Sequence, residues 1–180
     1  LFVEESEFTD DTVLTAAIAD SILRDRDFMF TVREYYALYP DRPYGGTFRR
    51  WAIGKIRKPY NSWGNGSAMR VSPVGWAFND IETVLSKAKE SAEITHNHPE
   101  GIKGAQATAL AILLSRMGKS KKEIKGEIEK IFGYKPALGE GTCLRGHGTG
   151  TVTSAYYHRR PAQPVAGSND AVLGQNQHRT

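Results

Sequence analysis

Ser120-Lys121-Lys122-Glu123-Ile124-Lys125-Gly126-Glu127-Ile128-Glu129-Lys130-Ile131-Phe132-Gly133 reads as one helix with both its start and its stop written out. Ser120 and Glu123 have the spacing of a capping box, in which a hydroxyl and a carboxylate each satisfy a free backbone N–H of the first turn. Ile124, Ile128, Ile131 and Phe132 then recur at helical intervals, giving an apolar stripe that can pack on a core. Gly133 is the residue type that ends helices.

The same pattern extends backwards along the chain. Val13, Leu14, Ala17, Ile18 and Ile22 form a helical stripe that Asp10 or Asp11 can cap. Phe28, Val32, Tyr35, Tyr36 and Tyr39 predict a second helix, closed by Pro40. After the turn-rich stretch 41–46, Phe48, Trp51, Ala52 and Ile56 suggest a third. Asp80 precedes Ile81, Val84, Leu85, Ala88 and Ala92, all expected to face inward. From Glu100 to Met117 the residues are small and apolar, with Ala105, Ala109, Ile112 and Leu113 on one side of a helix that can pack closely and sit centrally. No stretch alternates with period two, so the expected fold class is all-α.

Composition bounds the function. The chain has 180 residues, 39% of them hydrophobic, enough for one domain with a real core. A single cysteine, Cys143, rules out an internal disulfide framework and is consistent with a reducing compartment. No apolar run approaches the roughly 18 residues of a membrane span, and no signal segment is seen, so a cytoplasmic protein with no membrane partner is expected. The formal net charge of +4 is spread thinly: residues 1–135 hold 20 basic against 18 acidic groups, and residues 136–180 hold 4 against 2. Without a basic stripe interleaved with aromatics, no nucleic-acid partner is expected, and Arg49-Arg50 and Lys121-Lys122 read as solvated helix faces. All 11 lysines stand at or before Lys135, and beyond it there is no Ile, Phe, Trp or Met. We therefore place a boundary between 1–134 and 135–180. The second segment reads as a disordered tail or as the product of a shifted reading frame.

Three stretches can carry chemistry. Thr9-Asp10-Asp11-Thr12 sets two carboxylates and a hydroxyl at the mouth of the first helix. Such hard oxygens suit Mg²⁺ or Mn²⁺, and they equally suit a helix cap, the acids complementing the helix dipole. Ser62-Trp63-Gly64-Asn65-Gly66-Ser67 is a glycine-flanked loop before a helical start, able to hold a phosphate on backbone N–H groups or to serve as an ordinary turn. Met69 and Val71 read as core, and Pro73 as a break or restart of the helix. Thr95-His96-Asn97-His98-Pro99 suggests zinc only faintly, because neither a cysteine nor a third histidine is near. A histidine here can also cap the next helix or bond to a neighbouring turn. Glu4, Glu5 and Glu7 read as a solvated surface run.

In their order, TDDT at 9–12, GNGSAMRVSPVGW at 64–76 and THNHPEGIKGAQA at 95–107 resemble the ADP-ribosylglycohydrolase family, which includes the dinitrogenase-reductase-activating glycohydrolases, and especially its bacterial members. The likeness runs from about Leu1 to Tyr134. It implies an all-α, orthogonally packed multi-helix domain and Mg²⁺-dependent hydrolysis of the bond between ADP-ribose and an acceptor, on an ADP-ribosylated protein or a small ADP-ribosyl compound. By the same resemblance Thr9, Asp10 and Asp11 supply half of a two-Mg²⁺ site, Mn²⁺ being the other possible ion, and Asp10 and Asp11 are the catalytic candidates. Gly64, Asn65, Gly66 and Ser67 would cradle the diphosphate, and His96 would line the ADP-ribose pocket. The family's N-terminal glutamate segment and its second, Asp-Thr-Asp-type metal motif have no match, and Asp170 stands in a different context. A partial domain truncated at both ends, and an inactive fragment, are the resulting expectations. A non-catalytic ADP-ribose or nucleotide-binding module and a merely structural helical module are the alternatives.

Overall fold

A computed structural model describes residues 7–55 and 57–133. Among them every regular element is a helix: α1 (Asp10–Leu23), α2 (Phe28–Leu38), α3 (Gly46–Ile53), α4 (Gly66–Met69), α5 (Ser72–Ala77), α6 (Ile81–Glu93), α7 (Pro99–Arg116) and α8 (Lys121–Phe132). The all-α expectation holds. Ile56 and everything from Tyr134 onward, including the expected tail, lie outside the described residues.

The periodicity places α1, whose buried face is Val13, Leu14, Ala17, Ile18 and Ser21. It packs against α2 and α5 and touches α4. Its start differs from expectation: the N-cap position is Thr9, whose side chain makes no cap bond, and Asp10 and Asp11 occupy the first turn. Asp27 caps α2 by accepting from the Phe30 N–H at 2.9 Å. Between α2 and α3 the aromatics Tyr36, Tyr44, Phe48 and Trp51 close into a cluster with ring centroids 5.0–6.0 Å apart. Edge-on and stacked pairs of this kind add to the area they bury. Arg49 is half-buried rather than solvated, because its guanidinium donates to the carbonyls of Pro40, Arg42 and Tyr44 and so fastens the turn before α3. Arg50 and the Lys121-Lys122 pair are exposed as expected.

α7 is the central helix. It contacts α4, α5, α6 and α8, and buries Gly101, Gly104, Ala105, Ala107, Thr108, Ala109, Leu110, Leu113 and Leu114 on several faces rather than one. Small residues permit that approach. A methyl group on Gly75 of α5 would stand 2.6 Å from the Ala109 carbonyl oxygen and 2.7 Å from Ile112 Cβ, so only glycine lets α5 lie this close. Pro73 opens α5 rather than breaking a longer helix. Arg116 ties the end of α7 back to α5 by donating to the Gly75 carbonyl at 2.9 Å and the Phe78 carbonyl at 3.0 Å.

Asp80 caps α6 through the Thr83 N–H at 2.7 Å, and Val84, Ala88 and Ala92 face the core. Ile81 does not: it is exposed, lining an open groove with Leu110 and Leu114 of α7. In α8 the capping box is complete, Ile128 and Phe132 are buried and Gly133 takes a left-handed φ of 67°. Ile131 is exposed, because it stands one helical step from the buried pair. No described helix is long and apolar enough to cross a membrane.

Candidate functional site

The structure sorts the candidate residues into two groups. The first is at the mouth of α1. Thr9 Oγ1 donates to Asp11 Oδ2 at 3.3 Å, so the hydroxyl faces the acid instead of the helix N–H groups. Burial, and then the negative charge of Asp11, push the Asp10 carboxyl above its usual pKa. Tyr44 is pushed up to about 12, first by its own burial and then by Asp10. Arg49 works weakly in the opposite direction on both groups. Two adjacent carboxylates, one of them held above its usual pKa by burial and by its neighbour's charge, are chemically suited to a hard cation. Their number is small. Among the described residues no three of His, Cys, Asp and Glu converge, so the donors match the ion in kind while the set remains short of a closed site. Glu7 is exposed, as expected, and pairs with Arg42 at 2.7 Å on the surface.

The second group joins the glycine loop to the turn before α7. Tyr60 and Ser62 donate their backbone N–H groups to the Thr95 carbonyl at 3.3 and 3.4 Å, and the Asn61 N–H donates to Asn97 Oδ1 at 2.8 Å. Buried Ser67 donates its hydroxyl to the Gly101 carbonyl at 2.8 Å. These bonds press the loop onto His96. A methyl group on Gly66 would meet both Cε1 and Nε2 of His96 at 3.0 Å, and one on Gly64 would stand 3.9 Å from Nε2. On the other side a methyl on Gly101 would come within 2.7 Å of the Ser62 carbonyl oxygen and 3.1 Å of His96 Cβ. The spacing of glycines in the two motifs is therefore the room the imidazole needs. Gly66 opens the short helix α4, whose first-turn N–H groups have no intrahelical acceptor. Asn65 is exposed, and its side chain caps nothing.

The two histidines have separate jobs. His98 is the cap of α7, its Nδ1 accepting from the Glu100 N–H at 3.1 Å. His96 is buried, its Nδ1 lies 2.7 Å from Thr95 Oγ1, and burial, followed by the positive charge of Arg70, lowers its pKa to about 3. It is neutral at any ordinary pH. Sequence reasoning missed what surrounds it. Arg70, at the end of α4, is fully buried and donates from Nη2 to the Ser91 carbonyl at 2.9 Å and to Thr95 Oγ1 at 2.8 Å. Its Nε and Nη1 have no partner. Tyr60, 6.0 Å from His96 between ring centroids, also bonds to Thr95, and burial raises its pKa. The available signal was a lone charge between Met69 and Val71 in an apolar string.

No hydrogen bond or ion pair among the described residues joins the two groups, although α1 and α4, which carry them, are in contact. The described residues thus set a buried histidine beneath a glycine loop, with two acids at the mouth of a neighbouring helix, in an all-helical domain. The sequence model of ADP-ribosylglycohydrolase matches residues 2–169, and the chain belongs to that family. It is 31% identical to mouse ADP-ribosylhydrolase ARH3 over 150 residues, covering 73% of this chain and 40% of that protein. The human ADP-ribosylhydrolase ARH3 is 30% identical over 150 residues, with 70% and 41% covered. An uncharacterized protein of Archaeoglobus fulgidus is 28% identical over 149 residues, with 74% and 48% covered. The chain thus spans about two fifths of the length of the ARH3 proteins it matches.

Proposed function

We propose that these residues bind the ADP-ribosyl part of a modified protein or small compound and contribute to hydrolysis of its glycosidic bond. The observation that carries this reading is the meeting of the loop 64–67 with His96, two segments some thirty residues apart whose glycines leave space only for that ring. In this reading the loop Gly64, Asn65, Gly66 and Ser67 cradles the diphosphate, Asn65, Gly66 and Ser67 offering backbone N–H groups while the Gly64 N–H bonds to Ser62 Oγ at 3.3 Å, and His96 lines the pocket wall. Thr9, Asp10 and Asp11 would hold Mg²⁺, with Mn²⁺ as the other hard ion that fits their oxygens. Bound metal would polarise the sugar and orient water. Asp10, whose carboxyl is held above its usual pKa by burial and then by the charge of Asp11, would be stabilised in its charged form by such an ion.

The small number of acids that converge among the described residues favours a second reading, binding without turnover. Near-octahedral Mg²⁺ is held feebly by one pair of carboxylates, and turnover requires further ligands beyond residues 7–133. Titrating the 180-residue chain with ADP-ribose, and assaying release of ADP-ribose from serine- or arginine-modified peptides with Mg²⁺, tests both readings. We expect binding that Gly66→Val abolishes and no measurable release. Mg²⁺-dependent release would show that the catalytic set is complete in this chain. Failure of the wild-type chain to bind ADP-ribose would overturn the assignment of the loop.

A further inference from the structure

Arg70 presents a problem that the proposed function does not solve. A guanidinium with no exposed surface, no carboxylate partner and two unbonded nitrogens is an expensive thing to bury. Burial lowers its pKa only to about 10, so the charge persists at neutral pH. Its one side-chain hydrogen bond goes to Thr95 Oγ1, and Thr95 Oγ1 in turn lies 2.7 Å from His96 Nδ1.

That chain of contacts has a definite polarity. Arginine only donates, so Thr95 Oγ1 accepts from it, and since the Tyr60 hydroxyl that also bonds to Thr95 has a proton of its own to give, Thr95 keeps its proton for another acceptor. A neutral imidazole has one N–H and one lone pair, and a positive charge on the Nδ1 side favours the lone pair there. Both effects point the same way. We propose that Arg70 and Thr95 hold His96 as the neutral imidazole protonated on Nε2, so that a fixed N–H donor faces the glycine loop at Gly64 and Gly66. Thr95 donates to Nδ1, and Nε2–H points to the edge on which a Gly66 methyl would intrude. The opposite tautomer would turn a lone pair toward the loop and repel an anion. Arg70 and Thr95 are thus positioning residues for a diphosphate-type ligand, acting through His96, and the buried charge adds positive potential beneath the cradle. The inference rests on the loop's assignment as an anion cradle only for its use, since the tautomer itself is a property of the free protein.

Long-range proton–nitrogen NMR of the ¹⁵N-labelled full chain reads the tautomer directly, with His96→Gln identifying the ring among the five histidines. The expected wild-type pattern is protonated Nε2 and unprotonated Nδ1. Thr95→Val should let the Nδ1–H form appear, Thr95→Ser should restore the original pattern, and Arg70→Met should shift it as Thr95→Val does. If one of Thr95→Val and Arg70→Met fails to fold, the other still tests the hold on the ring, and the wild-type spectrum by itself can overturn the tautomer. A wild-type ring protonated on Nδ1, or a Thr95→Val spectrum with an unchanged tautomer, overturns the proposal. ADP-ribose added to the same samples should bind about tenfold more weakly to Thr95→Val than to wild type, the loss of one hydrogen bond to a charged group. If wild type shows the Nε2–H pattern but binds no ADP-ribose, the tautomer inference stands and the loop's assignment falls.

Discussion

At the mouth of α8, Ser120 Oγ accepts from the Glu123 N–H at 3.3 Å, and Glu123 accepts from the Ser120 N–H at 2.8 Å. At the mouth of α1, Thr9, Asp10 and Asp11 offer the same kinds of atom, but Thr9 makes no side-chain cap and the Asp10 carboxyl bonds to the N–H groups of Asp10 and Asp11 without a reciprocal partner at the cap. The difference lies in where the acid stands. Glu123 is at the third helical position and reaches back to the cap, whereas Asp10 and Asp11 are at the first and second, too short and too early to do so. In α8 the charge is consumed by the fold: the Ser120 N–H draws the Glu123 carboxyl down to about 2. In α1 burial and a like charge push Asp10 the other way. One mouth is satisfied internally. The other is left with oxygens for something outside the fold.

The largest acid response of the molecule comes from neither mouth, and has to be separated from them first. His96 takes up a proton near pH 6.5 when unfolded but only near about 3 when folded. Between those values the unfolded chain binds more protons, so stability falls as pH drops through that window, by an amount on the order of a few kcal/mol. His96→Gln should flatten the melting temperature across it. An equally steep decline in the variant would place the response elsewhere and free His96 from its buried role.

Against that background the two mouths separate by mutation. Ser120→Ala should destabilise the protein by about 0.5–2 kcal/mol, the usual loss for a working cap, while Thr9→Ala should stay within about 0.5 kcal/mol. Urea unfolding of both variants measures this. Comparable losses would mean that Thr9 caps α1 after all, and the acids at its mouth would return to complementing the helix dipole.

Much of this was legible in the sequence because its cause is local. The α8 capping box, the Asp80 cap and the stripes of α1 and α2 depend on residues three or four apart, and each appears where the spacing puts it. The misreadings arose where burial depends on a distant partner. Ile81 and Ile131 have helical spacing, yet both stay exposed along an open groove shared with α7 and α8. Arg49 looked solvated beside Arg50 until the turn at 40–44 folded back under it. The Arg70–Thr95–His96 contacts join residues 25 positions apart, and no periodicity announces them. The glycine loop was recognisable as a motif, but the reason for its glycines, the ring of His96, was not.

The charge states predict opposite signs in acid. Glu123, with a folded value of about 2 against an ordinary 4.5, stabilises α8 above pH 4.5, and that contribution is lost as pH falls toward 2. Asp10, raised above 3.8, takes up its proton more readily when folded, so its contribution improves as pH falls through the raised value. Relative to wild type, Glu123→Gln should therefore be destabilising at pH 7, and the difference should shrink in acid. Asp10→Asn should be slightly stabilising at pH 7, and that advantage should also vanish in acid. Matching signs at pH 7 would erase the distinction between the mouths.

The smallest effect is the most specific to α1. A ligand that binds only the folded state stabilises it by RT ln(1 + [L]/Kd), about 0.4 kcal/mol when Mg²⁺ is present at its dissociation constant. A single pair of carboxylates binds weakly, so the rise in melting temperature should be small and need millimolar-range Mg²⁺ to appear. It should be present in wild type and in Glu123→Gln, whose acid is already occupied by Ser120, and absent in Asp10→Asn and Asp11→Asn. Calcium offers a further discrimination, because its longer, looser coordination tolerates an incomplete set of ligands better than Mg²⁺ does. A shift that survives neutralisation of either aspartate would move the cation away from α1. The uncapped acids there would then be left without a ligand to explain them.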